Sequence, residues 1–188
     1  MKVFFVRHGQ SVANLEKVYA GQCDVPLSDQ GRKEAAAIAP VLASVAFDRV
    51  YSSDLSRAIE TQRIALPGAE GIRTPLIREI DVGSLVGKPF GTAKTLSETG
   101  EPDYTPFGGE NAVDVCNRVK KFLDILAQDP CENVAVFAHN GVMNTMLRIV
   151  LGVAVDPSAV RTNNCGIHVF EYMEGKWRLL AWNYMGNV

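Results

Sequence analysis

No stretch of this 188-residue chain approaches the run of about 20 apolar residues that a membrane-spanning helix needs. A basic surplus is also missing. The 19 Lys and Arg stand against 21 Asp and Glu, for a net charge of −2, whereas a nucleic-acid-binding domain usually carries a positive patch or stripe. Cys23, Cys116, Cys131 and Cys165 are widely scattered with no Cys-x-x-Cys pair, and the three histidines lack ligand spacing. Free thiols and no metal are therefore expected. The opening Met1-Lys2-Val3-Phe4-Phe5 turns polar by Arg7, too soon for the apolar region of a signal peptide. Together these absences predict a cytoplasmic protein that partners neither nucleic acid nor membrane. There is no repeat and no low-complexity linker either. With 47% hydrophobic and 21% charged residues, one globular domain over residues 1–188 is expected.

What the chain does have begins at its sixth residue. The apolar run Val3-Phe4-Phe5-Val6 stops at Arg7-His8-Gly9-Gln10-Ser11. Such a run, bounded by polar residues, reads as a buried strand. The pattern repeats late, where Val134-Ala135-Val136-Phe137-Ala138 runs into His139-Asn140-Gly141. Ligands of open parallel sheets bind outside the carboxyl ends of the strands. Two strands that each deliver a histidine there can place both rings in one pocket, and Arg7 beside His8 points to an anion.

Between these two strands the elements alternate. Ser28 reads as the N-cap of a helix carrying Ala35, Ile38, Ala39 and Leu42, with Pro40 expected to kink or shorten it. A strand over 47–52 leads to a helix over about 55–66, capped by Asp54 or Ser56. A short strand over 72–77 ends near Glu79. Residues 82–109 hold most of the Gly, Pro and Thr and read as a long excursion over one face, the kind of loop that serves as a lid or binding segment. A helix over 110–128 follows, with Val113, Val119, Phe122, Leu123 and Leu126 on its apolar face, then the strand at Val134 and a helix over 141–151. An antiparallel pair over 166–173 and 176–184, joined at Glu174-Gly175, closes the chain. This order predicts an α/β fold, a three-layer α/β/α sandwich on a mixed, mostly parallel sheet.

Taken alone, Arg7-His8-Gly9 is a short string, and His8 could be a hydrogen-bonded strand-end residue. The other strand ends change that reading. Arg57 falls in the first turn of a helix, where free N–H groups and the helix dipole favour anions. Glu79 and His139 end the next two strands. One edge thus receives two arginines, two histidines and a glutamate. Elsewhere His168, between Ile167 and Val169, reads as structural, Lys120-Lys121 as a solvated helix face, and Trp177 and Trp182 as parts of the closing hairpin.

At these residues the chain resembles the histidine phosphatase superfamily, also called the phosphoglycerate mutase-like family. Phe4 to Ser11 with Asn14, Asp24 to Gly31, Tyr51 to Ala58 with Thr61, Gly108-Gly109-Glu110 and Ala138 to Gly141 match its blocks in order. The resemblance implies that His8 is a nucleophile forming phosphohistidine. Arg7, Arg57 and His139 would bind the phosphoryl oxygens with help from Asn14, and Glu79 would be the general acid and base. Gly21 and Gln22 lie where family members touch substrate, with Cys23 following. No cofactor or metal is implied, and the expected partner is a small phosphorylated metabolite.

The chemistry is coherent. A neutral imidazole can attack phosphorus, forked guanidiniums suit the equatorial oxygens, and an alkoxide leaving group needs a proton from an acid. Asp81 is a rival acid, although an Asp there is more often a turn cap. Leu85-Val86-Gly87 stands where relatives often have Trp-Glu-Gly, and His139-Asn140-Gly141 where they have His-Gly-Gly, so Asn140 adds an amide for a phosphate or sugar contact. Mutases of the family carry a longer insertion after the acid with paired arginines, whereas here no arginine occurs between Arg78 and Arg118. A phosphomonoesterase is therefore the expected activity. A mutase and a non-catalytic phosphate-binding module are the alternatives, and loss of the nucleophile or acid would mark the last.

Overall fold

A computed structural model describes residues 1–152 and 160–184. Six strands form one mixed sheet: β1 Lys2–Arg7, β2 Arg49–Ser53, β3 Ile72–Thr74, β4 Asn133–Ala138, β5 Ile167–Met173 and β6 Lys176–Tyr184, in spatial order β3-β2-β4-β1-β5-β6. Strands β1 to β4 are mutually parallel, while β5 lies antiparallel to β1 and β6 antiparallel to β5. Both expected histidine-bearing strands are therefore neighbours, with Val6 opposite Phe137 and Arg7 opposite Ala138.

Among the described residues, five α-helices flank the sheet: α1 Val12–Glu16, α2 Asp29–Ala43, α3 Ser56–Ala65, α4 Ala112–Ala127 and α5 Asn140–Leu151. The continuous apolar runs of β1 and β4 make sense because each strand is covered on both faces. Val3, Phe5, Val134, Val136 and Ala138 pack with α4 and α5, while Val6, Ala135 and Phe137 pack with α2 and α3. None of the described helices is long and apolar enough to cross a membrane. The four cysteines are free thiols.

Several local expectations change. Residues 72–77 are a strand only to Thr74. Pro75 then begins a 3-10 turn, Pro75–Ile77, since proline has no N–H for the ladder and Thr74 Oγ1 accepts from Leu76 N–H at 3.2 Å. Strand β2 starts at Arg49 rather than at 47. Helix α2 continues past Pro40 to Ala43, with the proline on the exposed face. Neither Asp54 nor Ser56 caps α3. Its N-cap is Leu55, because the Asp54 carboxylate is held by Arg78 at 2.7 and 2.6 Å, and Asp24 accepts from Ser56 N–H at 2.7 Å.

Helix α4 begins after Asn111, whose side chain accepts from Val113 N–H and Asp114 N–H, so Glu110 lies outside the helix. Val113 is 52% exposed, and the buried stripe instead starts with Val115 and Cys116. Helix α1 was not foreseen. Its signal was the capping box Ser11-x-x-Asn14, in which each side chain accepts the other's backbone N–H. His168 is a core residue as expected. Its Nδ1 accepts from Asn183 N–H at 3.3 Å, its ring lies 3.9 Å from that of Trp182, and burial pushes its pKa down to about 3. Lys120 and Lys121 are exposed, and Trp177 and Trp182 lie on β6.

Candidate active site

The parallel strands β1, β4, β2 and β3 present their carboxyl ends at one edge, above which lies a cavity of about 410 Å3. Arg7, His8, Arg57 and Glu79 all line it, along with Asn14, Gly21 and Asn140. His139 sits just behind, its ring centroid 5.0 Å from that of His8. The adjacency follows from pairing in register, since His8 and His139 each come one residue after the end of neighbouring strands.

His8 is buried, and its Nδ1 lies 2.7 Å from the Gly9 carbonyl oxygen. A carbonyl only accepts, so Nδ1 carries the hydrogen. Burial, then the charges of Arg57 and Arg7, hold the His8 pKa well below its ordinary value. The ring is therefore neutral, with its lone pair on Nε2. His139 is likewise neutral, through burial and the nearby Arg57 charge, and both its ring nitrogens are buried without a protein partner among the described residues. Orphaned polar atoms of this kind are costly unless a ligand meets them.

Arg57 is 1% exposed, an unusual state for arginine that only specific partners make tolerable. Nη1 donates to the Cys23 carbonyl at 3.0 Å and Nη2 to that of Gly21 at 2.8 Å. Arg7 donates to the Thr162 carbonyl and has its Nε buried without a partner among the described residues. Burial lowers both arginine pKa values, and the Glu79 charge opposes that shift in each case. Thr61 ties the two halves of this anion site together: it accepts from Gly9 N–H at 3.0 Å and donates to the Arg57 carbonyl at 2.7 Å. Asn14, in the cavity lining, has its Oδ1 engaged by Ser11 N–H and by Asn164 Nδ2.

Glu79 lies beyond β3, after the 3-10 turn rather than at a strand end. One carboxylate oxygen, Oε1, accepts from Ile80 N–H and from Gly141 N–H in the first turn of α5, both at 2.9 Å. Oε2 has no hydrogen bond to the described residues. Gly141 leaves the carboxylate room to sit here, because a Cβ on it would overlap Glu79 Oε1. Asp81 does not line the cavity; its Oδ1 accepts from Gly83 N–H at 2.9 Å, which makes it a turn cap.

Two expected neighbours are not brought in. Gln22 lies outside the lining, with its amide 3.4 Å from both Arg78 and Glu110, and the exposed Cys23 contributes only its carbonyl. Arg118 and Arg148 were missed by sequence reasoning. Arg118, on α4, donates to the carbonyls of Leu76, Arg78 and Glu79 at 3.1, 2.6 and 3.0 Å and to both carboxylate oxygens of Glu110. All five of its N–H donors are thereby used. Glu110 in turn accepts from Asp81 N–H at 2.9 Å. The segment that carries Glu79 is clamped on both sides.

Such a set can hold a tetrahedral anion against a neutral imidazole with a carboxylate beside it. The model of the histidine phosphatase superfamily (branch 1) matches residues 3–185. The probable phosphoglycerate mutase of Proteus mirabilis is 29% identical over 193 residues, spanning 97% of this chain and 90% of its own. A probable phosphatase of Schizosaccharomyces pombe is 33% identical over 152 residues, spanning 78% and 71%. Among solved structures, mycobacterial glucosyl-3-phosphoglycerate phosphatase in complex with VO3 superposes with a TM-score of 0.83 at 25% identity, covering 97% of this chain and 98% of that one. On its motifs, its fold and a match over nearly its full length, the chain belongs to the histidine phosphatase superfamily.

Proposed function

We propose that this protein is a metal-independent phosphomonoesterase acting through a phosphohistidine on His8. The observation that carries the reading is the tautomer of His8. With Nδ1–H given to the Gly9 carbonyl and burial keeping the ring neutral, Nε2 holds a lone pair at the cavity edge. Nε2 attacks phosphorus while the ester P–O bond breaks. Arg7, Arg57 and His139 take the phosphoryl oxygens, where charge spreads in the transition state. Glu79, as general acid, gives a proton to the leaving oxygen. The resulting carboxylate then takes a proton from water as that water attacks phosphorus and the P–N bond breaks, which restores both groups.

Phosphatase and mutase names both occur among the relatives. A mutase must retain its phosphoacid product for re-phosphorylation. No arginine lies between Arg78 and Arg118, and Arg148 in the cavity is neutralised by Glu101 at 2.7 Å, which favours release and attack by water. The test is phosphate release from a panel of phosphate monoesters in the presence of EDTA, with acid-labile phosphate sought on quenched enzyme. Turnover with EDTA and label on His8 is the expected result. EDTA-abolished turnover, or label elsewhere, overturns the reading.

A further inference from the structure

The cavity is much larger than a phosphoryl group requires, and its remaining surface has a definite character. Residues 82–109 contribute Phe90, Leu96 and Tyr104 to the lining, with Tyr19 beside them. The Tyr19 ring meets Phe90 edge-on at 5.0 Å and Tyr104 at 6.0 Å. Phe90 remains 52% and Leu96 43% exposed. Large apolar side chains left open around a cavity are surface that a ligand can cover.

A second wall comes from α5, where Asn140, Asn144 and Arg148 recur every four residues and so line one face. The Asn144 Oδ1 atom is buried with no hydrogen-bond partner among the described residues. Beyond the phosphate-binding groups, the charged lining residues among those described are Arg148 and Glu101, and they neutralise each other at 2.7 Å. Among the described residues, Arg148 is the cation left there, and Glu101 offsets its charge although Arg148 Nη1 makes no hydrogen bond.

We propose that the substrate is the phosphate monoester of an uncharged alcohol carrying an aromatic or heteroaromatic ring. The ring packs on Tyr19, Phe90, Leu96 and Tyr104, and the polar edge of the alcohol meets Asn140 and Asn144. This inference rests on the phosphatase reading. An aromatic pair adds about 2- to 13-fold beyond simple burial, and covering the apolar wall adds to that, so ring-bearing substrates should gain about tenfold or more in catalytic efficiency over ring-free ones.

The test compares 2-phenylethyl phosphate with glycerol 1-phosphate and 3-phosphoglycerate, all esters of ordinary alkyl alcohols. The phenylethyl ester is expected to lead by at least about tenfold. In Phe90→Ala that ratio is expected to fall several-fold. Because it is a ratio within one preparation, partial misfolding does not move it. Glu101→Gln releases Arg148, so the efficiency with which 3-phosphoglycerate is hydrolysed, relative to the phenylethyl ester, is expected to rise. Equal or better turnover of glycerol 1-phosphate or 3-phosphoglycerate by the unaltered protein overturns the inference and leaves the phosphatase reading standing. An unmoved ratio in both variants overturns it equally. Failure to release phosphate from any ester removes the phosphatase reading and this inference with it.

Discussion

His8 and Glu79 each have one polar atom committed to backbone and one left over, and that division sets what their removal should do. His8→Ala is expected to lower turnover by more than about a thousandfold, as loss of a nucleophile does elsewhere; its fold, checked by circular dichroism, should survive. Activity within about tenfold of the unaltered protein would exclude His8 as nucleophile. For Glu79, leaving-group basicity is the probe. A nitrophenolate leaves without protonation and an alkoxide does not, so Glu79→Gln should slow alkyl phosphates by about 10²–10⁴ and p-nitrophenyl phosphate far less. Asp81→Asn should show no such split, because Asp81 caps its own turn at Gly83. Gly141→Ala is a subtler probe of the same acid. Its added methyl must displace Glu79 Oε1, so the alkyl-selective loss should appear with every ionisable group still in place.

At the scale of elements, helix α4 acts on the site without lining its phosphate end. Arg118 holds the carbonyls of Leu76, Arg78 and Glu79 and pairs with Glu110, which holds Asp81. Lysine has three donors on a point charge and cannot reproduce this planar fork. Arg118→Lys is therefore expected to reproduce part of the Glu79 signature, with alkyl phosphates losing more than p-nitrophenyl phosphate. Arg118→Ala should in addition cost about 1–3 kcal/mol of unfolding free energy, since three partly buried carbonyls lose their donor. A uniform loss across both leaving groups would show that α4 supports the fold and not the acid.

The strands show which parts of this arrangement were legible. The apolar runs at Val3 and Val134 end where they were expected, and the adjacent Arg7, His8 and His139 could be placed at one edge from alternation alone. Glu79 was expected at the same edge and does line the cavity, but not as a strand end, because Pro75 cuts β3 short and a 3-10 turn and coil carry the chain onward.

For the molecule as a whole, three histidines buried in the neutral state predict a pH profile of stability. His8, His139 and His168 all have folded pKa values below the unfolded 6.5, His168 at about 3. Between the two values the unfolded chain binds protons that the folded chain refuses. Stability is therefore intact above pH 6.5 and falls as pH drops below it, by up to about 1.4 kcal/mol per pH unit for each histidine. Asp54 and Asp129, whose folded pKa values are lowered by hydrogen bonds from Arg78 and Cys131, lose their contribution only in more acidic solution. Urea unfolding at about pH 7, 6 and 5 should show the decline, and His168→Gln should flatten the slope by about a third. An unchanged slope would mean that His168 is protonated in the fold.

Local sequence determined the elements of this protein and the chemistry delivered to one sheet edge, because strand alternation, the Ser28 cap and the abrupt Arg7-His8 and His139 terminations are properties of a few adjacent residues. It also carried the family blocks, down to Glu110, whose partner it did not reveal. Tertiary structure alone decided that the His8 and His139 rings lie 5.0 Å apart, that Asp54 serves Arg78 instead of capping α3, and that Arg118 reaches the carbonyl of Glu79. Those pairings join residues from 24 to 131 positions apart in the chain. Their energies come from burial and from filling every donor and acceptor in a space that exists only once the sheet is assembled, so no local pattern encodes them.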